Sequence, residues 1–149
     1  MEYFYYIQPT VKYIWPQGGT VNGGSLIVIE GSWFKYRPEY GVVPYCKFGQ
    51  KIVRGKWLNT VRLLCPSPAT DQGNSKVPVS VSQNAVAWTD TPFMFSYYET
   101  PIIDLIEPQS GPANGGTLVK LRGSKFSPHF DSSQFYCRFT AIKLNMPPK

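Results

Sequence analysis

Three cysteines and one histidine are the residues of this sequence that could ligate a soft metal or act as nucleophile and base. The cysteines are Cys46, Cys65 and Cys137, and no two of them form the close Cys-x-x-Cys pair that zinc sites commonly use. His129 stands in a Ser-Pro-His-Phe segment, where neither Ser127 nor an acid completes a triad pattern. The sequence therefore predicts no metal site, no nucleophilic catalysis and a solvent-exposed loop position for His129.

The acids and the paired glycines give no catalytic pattern either. The acidic residues are scattered through predicted loops, without the spacing of an EF-hand or of two catalytic carboxylates. Gly23-Gly24 and Gly115-Gly116 could suggest a phosphate loop, but no Gly-Lys-Ser/Thr and no helix follows them. We therefore predict a protein that is not an enzyme and that needs no cofactor.

A basic stretch is the feature most suited to binding. The chain has 15 Lys and Arg against 9 Asp and Glu, a formal net charge of +6. Between Glu39 and Asp71 there are five cations and no acid. A solvated basic face and a surface for an anionic glycan, a lipid surface or nucleic acid both fit this pattern. The five cations are Lys47, Lys51, Arg54, Lys56 and Arg62.

The sequence contains a tandem repeat, and the candidate residues above belong to its copies. Segment 9–34 matches segment 101–126, 92 residues downstream, without an insertion. This register indicates repeats of about one small domain each. We expect Asn-Gly-Gly to supply positive-φ turn positions, and the last matched glycine to end or bulge a strand. The matched turn and junction positions are Pro9 with Pro101, Gly19 with Gly111, Gly23 with Gly115, Gly24 with Gly116 and Gly31 with Gly123.

Short alternating segments predict the elements of the repeat. Ile27 and Ile29 share one face of a strand, and Val119 and Leu121 share the matching face of the copy. No run of 18 apolar residues occurs, so we predict no membrane span. About seven short strands without a helical period predict an all-β fold of antiparallel β-sandwiches. The predicted strands cover 11–14, 25–30, 45–49, 61–65, 77–81, 85–88 and 93–98.

Together these motifs resemble the IPT/TIG domain, an immunoglobulin-like early-set fold. The resemblance is carried by the glycines above, by Cys-Lys-Phe-Gly at 46–49 and by Leu-Cys-Pro-Ser-Pro at 64–68. Such domains occur in tandem in plexins, the hepatocyte growth factor receptor, fibrocystin-like proteins and protist and bacterial surface proteins. The resemblance covers a whole domain over 9–98 and the first half of another over 101–139.

The domain boundaries follow from the two copies. We predict that residues 1–8 are the last strand of a preceding repeat, 9–99 a complete domain and 100–149 the first half of a second domain. Pro9 and Pro101 would mark the junctions. After residue 139 the second copy departs from the family pattern, so either further chain or another chain would complete it.

The resemblance also implies that Cys46 and Cys65 form a disulfide, since cysteines at these positions commonly pair in such domains. Strand parity points both side chains inward. Two buried thiols of a cytosolic protein are the alternative. Cys137 matches Cys46 and has no partner within this sequence.

Two tryptophans extend the candidate surface. Trp15 aligns with Glu107 and Trp33 with Lys125, so their positions tolerate polar residues and we expect both rings to be partly exposed. Exposed tryptophan can stack on sugars or anchor a protein interface, and packing between domains is the alternative.

These observations favour a non-enzymatic spacer and adhesion module within a larger extracellular or cell-surface repeat protein. Protein partners, including copies of the same repeat protein in filaments, would be its ligands, and a glycan is compatible. The alternatives are a carbohydrate-binding module, an intracellular ciliary or flagellar scaffold and a nucleic-acid-binding module of a transcription factor. Paired cysteines disfavour the last of these.

Overall fold

A computed structural model describes residues 3–91, 93–126 and 136–140, and it is built from β-strands. One turn of 3₁₀-helix, Pro38–Tyr40, lies in a loop of the first repeat. The strands of the first repeat are β1 (Thr10–Trp15), β2 (Gly18–Thr20), β3 (Leu26–Ser32), β4 (Tyr45–Phe48), β5 (Lys51–Arg54), β6 (Lys56–Asn59), β7 (Arg62–Pro66), β8 (Lys76–Ser82) and β9 (Met94–Tyr98). Those of the second are β10 (Ile102–Glu107) and β11 (Lys120–Ser124).

Two sheets form the first repeat. One has the strand order β1-β3-β7-β6 and is antiparallel throughout. The other has the order β2-β9-β8-β4-β5, in which β2 pairs with β9 in parallel. The predicted antiparallel sandwich is therefore confirmed, with one parallel strand added at an edge.

The core lies between the sheets because each strand buries alternate residues. Ile14, Ile27, Ile29 and Leu63 are fully buried on the four-stranded sheet. On the facing sheet, Phe95 meets two rings edge to face. The further members of this buried cluster include Phe34, Cys46, Phe48, Cys65, Val79, Val81 and Tyr97.

The chain passes from one sheet to the other at both edges. At one edge β1 leads into β2 through a cis Trp15-Pro16 bond, and the second repeat has a matching cis Glu107-Pro108 bond. At the opposite edge, Gly55 separates β5 from β6, which belong to different sheets. Neither β5 nor β6 was predicted from the sequence.

The matched glycines have different roles. Gly23, Gly24, Gly115 and Gly116 have φ between +75° and +83°, the region that glycine favours. Gly19 lies in strand β2 instead of a turn, and a Cβ there would come within 2.3 Å of the Ser25 Oγ atom. The glycine at that position provides space for packing.

Gly31 and Gly123 differ from the expectation in a similar way. Both lie inside strands, β3 and β11, and the bulge is in the neighbouring strand. A Cβ on Gly31 would be 1.9 Å from the Thr10 carbonyl oxygen, and one on Gly123 would be 1.9 Å from that of Ile102. These glycines let the bulged strand approach closely.

One predicted strand is wrong, and another begins one residue later than predicted. Residues 85–87 form a bend, because the Asn84 side-chain oxygen accepts hydrogen bonds from the backbone N–H groups of Val86 and Ala87, and Trp88 forms an isolated antiparallel bridge with Ser82. Val61, expected on the inward face, lies in the turn before β7 and is exposed, whereas Leu63 and Cys65 are buried as predicted.

The first described residues and the described part of the second repeat carry less regular structure. Residues 3–9 are irregular, and no described strand pairs with them, although 3–6 were predicted to form a strand. In the second repeat β10 and β11 form a two-stranded sheet. Residues 136–139 are also irregular.

Candidate interaction surface

A disulfide between Cys46 and Cys65 joins the two sheets. Cys46 lies on β4 of the five-stranded sheet and Cys65 on β7 of the four-stranded sheet, with their Cα atoms 6.3 Å apart. Both residues are fully buried. The sequence predicted that the two cysteines lie on consecutive strands. In the structure β5 and β6 come between these strands along the chain. Because β4 and β7 belong to different sheets, the disulfide crosses the core. Cys137 is exposed and is not in a disulfide.

Gly55 packs against this disulfide. A Cβ at this position would lie 3.2 Å from each of the two sulfur atoms. Its backbone N–H donates to the Pro44 carbonyl oxygen at 2.9 Å. The chain can therefore cross between the sheets directly beside the sulfurs because residue 55 has no side chain.

Arg54 and Lys56 flank Gly55 and are both exposed. The Cβ direction of Gly55 is toward the core, and successive side chains of an extended chain point to opposite sides. The side chains of Arg54 and Lys56 therefore point away from the core. They lie on edge strands of the two sheets, β5 and β6, where charged side chains also discourage pairing with other strands.

Two further cations lie on the neighbouring strands β4 and β5, on opposite faces of that sheet, since Lys51 pairs with the buried Phe48. Lys47 on β4 pairs with Ile52 on β5, and its ammonium group lies 4.7 Å from the centre of the Trp88 ring. The Lys51 ammonium group donates to the Ala69 carbonyl oxygen at 2.7 Å. We call Lys47, Lys51, Arg54 and Lys56 the basic edge. Among the described residues, none of the four forms an ion pair.

Arg62 does not belong to the basic edge. Its guanidinium group pairs with Glu30 at 2.8 Å across strands β7 and β3, on the outer face of the four-stranded sheet. The prediction grouped it with the other cations, but its charge is balanced by an acid 32 residues earlier in the chain.

Trp15 lies apart from the basic edge, whereas Trp33 precedes Phe34, whose carbonyl oxygen accepts a hydrogen bond from Trp57 on β6. Trp15, 62% exposed, is on β1, and β6 with Lys56 lies at the other edge of that sheet. It shares the outer face with Val28, its partner on β3. Trp33, 53% exposed, follows β3 with a positive φ of 66°, and Lys125 at the matching position has a φ of 63°.

An aromatic cluster near the loop between β3 and β4 was not predicted. Trp57 donates its ring N–H to the Phe34 carbonyl oxygen, and its ring stacks with that of Tyr36. Phe4 stacks with Tyr40 in the same loop. Through Trp57 this cluster attaches the loop to β6. Through Phe4 it attaches the first described residues of the chain to the same loop.

Two tyrosines have altered acidity. Burial raises the pKa of Tyr97 to about 12, and its hydroxyl donates to the Pro68 carbonyl oxygen at 2.9 Å. Burial, and then the neighbouring Tyr3, raise the pKa of Tyr6. Both groups are neutral at physiological pH and serve packing.

Residues 3–91, 93–126 and 136–140 contain no group of three or more His, Cys, Asp or Glu that could hold a metal ion. They also contain no helix with the length and apolarity to cross a membrane. His129 and Ser127 lie outside the described residues.

The fold and its partial copy define a tandem of immunoglobulin-like β-sandwich repeats. A family model described as IPT/TIG domain matches residues 9–97 and again residues 101–145. The chain belongs to the IPT/TIG domain family, which confirms the resemblance drawn from the sequence.

Curated relatives and solved structures agree with this assignment. The chain is 26% identical to Plexin-A2 of Homo sapiens over 122 residues, covering 82% of this chain and 6% of that protein. It is 28% identical to Fibrocystin-L of Homo sapiens over 118 residues, covering 79% of this chain and 3% of that protein. The full extracellular region of Plexin A4 superposes with a TM-score of 0.57 at 22% identity, covering 78% of this chain and 9% of that one. The last likeness shows the fold alone, and the chain spans under a tenth of each protein.

Proposed function

We propose that this chain is a non-enzymatic spacer and protein-interaction module of an extracellular or cell-surface repeat protein. The observation that carries the proposal is the disulfide between the sheets, buried in a domain whose opening strands are repeated in tandem. Disulfides persist in oxidising compartments and are rare in the cytosol.

The junction between the repeats supports the spacer role. Residues 99–101 connect β9 to β10, and Pro101 restricts the backbone of this short link. Glu99 at the end of the first repeat forms an ion pair of 3.2 Å with Lys125 of the second. Both partners are partly exposed, so the pair adds roughly 0–1 kcal/mol and biases the joint without locking it. Repeats joined in this way would set a regular spacing between surfaces for partners.

The experiment is mass spectrometry of the native protein, purified from its source with thiols blocked and no reductant. A mass lower by two hydrogens on the peptides of Cys46 and Cys65 supports the extracellular proposal. Free thiols at both positions would contradict it and favour the intracellular ciliary scaffold.

Assembly into filaments is the finer form of this proposal. Sedimentation of the native repeat protein over a range of concentrations tests it. A mass that grows with concentration supports filaments, and a constant monomer mass excludes them.

A further inference from the structure

We propose that residues 3–6 of one chain bind the second repeat of another copy of this chain, as a strand added beside segment 109–113. The added strand takes the place that β9 has in the first repeat, and it puts the rings of Tyr3 and Tyr5 against the apolar face of β10 and β11. This interface rests on the proposed function, and it deepens the filament form of that proposal by naming the two surfaces that meet.

Two exposed tyrosines in this segment occupy positions that belong to a core. Tyr3 and Tyr5 lie 92 positions before Phe95 and Tyr97, the core residues of β9. The two β9 rings are at most 2% exposed, whereas Tyr3 is 80% and Tyr5 is 83% exposed. The exposed rings meet edge to face with their centres 4.8 Å apart, and the buried rings do so at 5.0 Å. The segment therefore already presents its side chains as β9 does.

The second repeat has the complementary feature, an apolar face that no described strand covers. Ile106 is half-buried, although its equivalent Ile14 is fully buried. Phe126 is 43% exposed, and its equivalent Phe34 is 0% exposed. The face borders a concavity of about 660 Å³, which is in the size range of pockets that enclose a ligand, about 300–1,000 Å³. Two aromatic side chains fit this space.

The second repeat also keeps the backbone groups to which β9 binds in the first. There the Gln17 carbonyl oxygen accepts a hydrogen bond from β9 at 2.8 Å, and the Val21 N–H donates to β9 at 2.9 Å. Gln109 and Ala113 occupy these positions in the second repeat, and Pro112 between them removes neither group. An added strand can therefore form the same two hydrogen bonds.

Gly111 provides the space that an aromatic ring needs beside this segment. Its equivalent in β2 is Gly19, where a Cβ would lie 2.9 Å from the Phe95 ring. At Gly111 the three atoms nearest to a Cβ belong to the Thr117 side chain instead. The position that packs under Phe95 in the first repeat is thus kept open for a ring in the second.

Segment 3–6 lies at the end of the first repeat that is farther from the second repeat. β1 begins beside Ser32, the last residue of β3. β9 ends near the first residue of β3, because the Tyr97 hydroxyl reaches Pro68 just after β7, and the last residue of β7 pairs with Leu26. The length of β3, about 20 Å, separates these two ends.

The link between the segment and β1 is too short to cross that distance. Residues 7–9 span at most about 10 Å, and the Gln8 side-chain amide donates to the Trp88 carbonyl oxygen of the first repeat at 3.1 Å. The segment can therefore reach only the second repeat of another copy. Because the two surfaces differ, such contacts join copies head to tail and can continue from chain to chain.

The size of the interface sets the strength to expect. Two aromatic side chains bury about 150–250 Å² each. This is far below the roughly 1,200 Å² under which interfaces are weak and transient. The association should therefore depend on concentration.

The test is sedimentation equilibrium of the purified, oxidised 149-residue chain over a range of concentrations. The donor variant Tyr3→Ser/Tyr5→Ser is compared with Tyr13→Ser/Trp15→Ser, which also removes two exposed aromatic side chains two residues apart. The acceptor variant Gly111→Val fills the space beside the binding segment. Circular dichroism of each variant verifies that the fold is retained.

We expect the mass of the wild type to rise with concentration. The dissociation constant should rise at least about tenfold in the donor and acceptor variants and stay within about twofold in the control, since buried aromatic anchors dominate interface energies. An equimolar mixture of donor and acceptor variants should form a dimer and nothing larger, because one intact surface of each kind remains.

Three results would overturn the proposed interface. The first is a mass of one chain at every concentration, which would show that the second repeat is covered within its own chain. The second is equal weakening by the donor and control variants, and the third is a mixture without dimers. The thiol state of the native protein tests the extracellular proposal separately. Filaments of the native protein alongside a monomeric 149-residue chain would place the contact elsewhere and leave the proposed function standing.

Discussion

At the scale of single residues, Tyr97 shows how a polar group is accommodated at the border of the core. Its ring is buried against Phe95, while its hydroxyl reaches the Pro68 carbonyl oxygen in the segment after β7. The hydrogen bond therefore links the ends of the two sheets. A phenol in this position must stay protonated for the fold to keep both contacts.

We predict that Tyr97→Phe lowers the free energy of unfolding by about 1 kcal/mol at neutral pH, since one hydrogen bond is lost. The pKa of Tyr97 is about 12 in the fold, above its ordinary value of 10. Its contribution is therefore fully present below pH 10 and is lost as the pH rises from 10 to about 12. Urea denaturation at pH 8 and pH 11 measures both effects.

Tyr5→Phe is the control for this comparison, because Tyr5 occupies the equivalent position 92 residues upstream and is exposed. The difference between wild type and Tyr97→Phe should shrink at pH 11, and the difference for Tyr5→Phe should stay near zero. A constant difference for Tyr97→Phe at both pH values would contradict the assignment.

Gly55 is a second residue whose role is local and steric. We predict that Gly55→Ala lowers the free energy of unfolding by about 1–3 kcal/mol, because its Cβ would press on both sulfur atoms inside a packed core. Gly73→Ala is the matched control, since its Cβ would meet the flexible Glu99 side chain at 3.4 Å. Chemical denaturation of the oxidised proteins gives both values, and equal values for the two variants would refute the packing role.

At the scale of elements, the disulfide connects β4 and β7 across the core and closes a loop with a sequence separation of 19. In the chain-entropy model such a cross-link contributes about 3 kcal/mol by restricting the unfolded chain. The loop contains β5, Gly55 and β6, so the bond also holds the edge that carries Arg54 and Lys56.

We predict that Cys46→Ala/Cys65→Ala loses about 3 kcal/mol of stability or slightly more, because two buried side chains are also shortened. Cys137→Ala is the control, since Cys137 is exposed and outside the disulfide. Thermal unfolding with and without reductant measures the effect. The double variant should be insensitive to reductant, and an equally insensitive wild type would show that the bond is absent.

The sequence was sufficient for the elements whose residues alternate cleanly. Ile27 and Ile29 identified β3 and its buried face, and the Asn-Gly-Gly turns were expected at positive φ. Strands β5 and β6 were not predicted, because most of their residues are exposed and buried residues do not alternate with exposed ones along them. The bend at 85–87 was not predicted because Asn84 supplies hydrogen bonds that no apolar pattern reveals.

The candidate surface was predicted less well, because pairing between distant strands decides it. Lys51, Arg54 and Lys56 do share one edge, but Arg62 pairs with Glu30 on the outer face of a sheet. Trp15 lies at the opposite edge of that sheet. Charge spacing along the chain indicated the cations, and only the register of β3 with β7 could separate Arg62 from them.

At the scale of the whole molecule, the two repeats offer an internal comparison. In the first repeat, the sheet of β1 and β3 is covered by a second sheet, and Ile29 is fully buried. In the second, β10 and β11 pair with the same bulge, but Leu121, the equivalent of Ile29, is half-buried. The described residues Phe126 and 136–139 line a concavity of about 660 Å³ over that face.

We predict that the 149-residue chain alone shows two levels of hydrogen-exchange protection. A two-stranded sheet is marginal in water, so β10 and β11 should exchange through openings that cost close to 0 kcal/mol. Amides of β3 and β7 should require global unfolding, of order 5–15 kcal/mol. Hydrogen exchange monitored by NMR or mass spectrometry compares the amides of Ile29 and Leu121, which occupy equivalent positions of β3 and β11.

Equal protection at both amides would show that the second repeat already has a stable core in this chain. The spacing role would then extend over two rigid units.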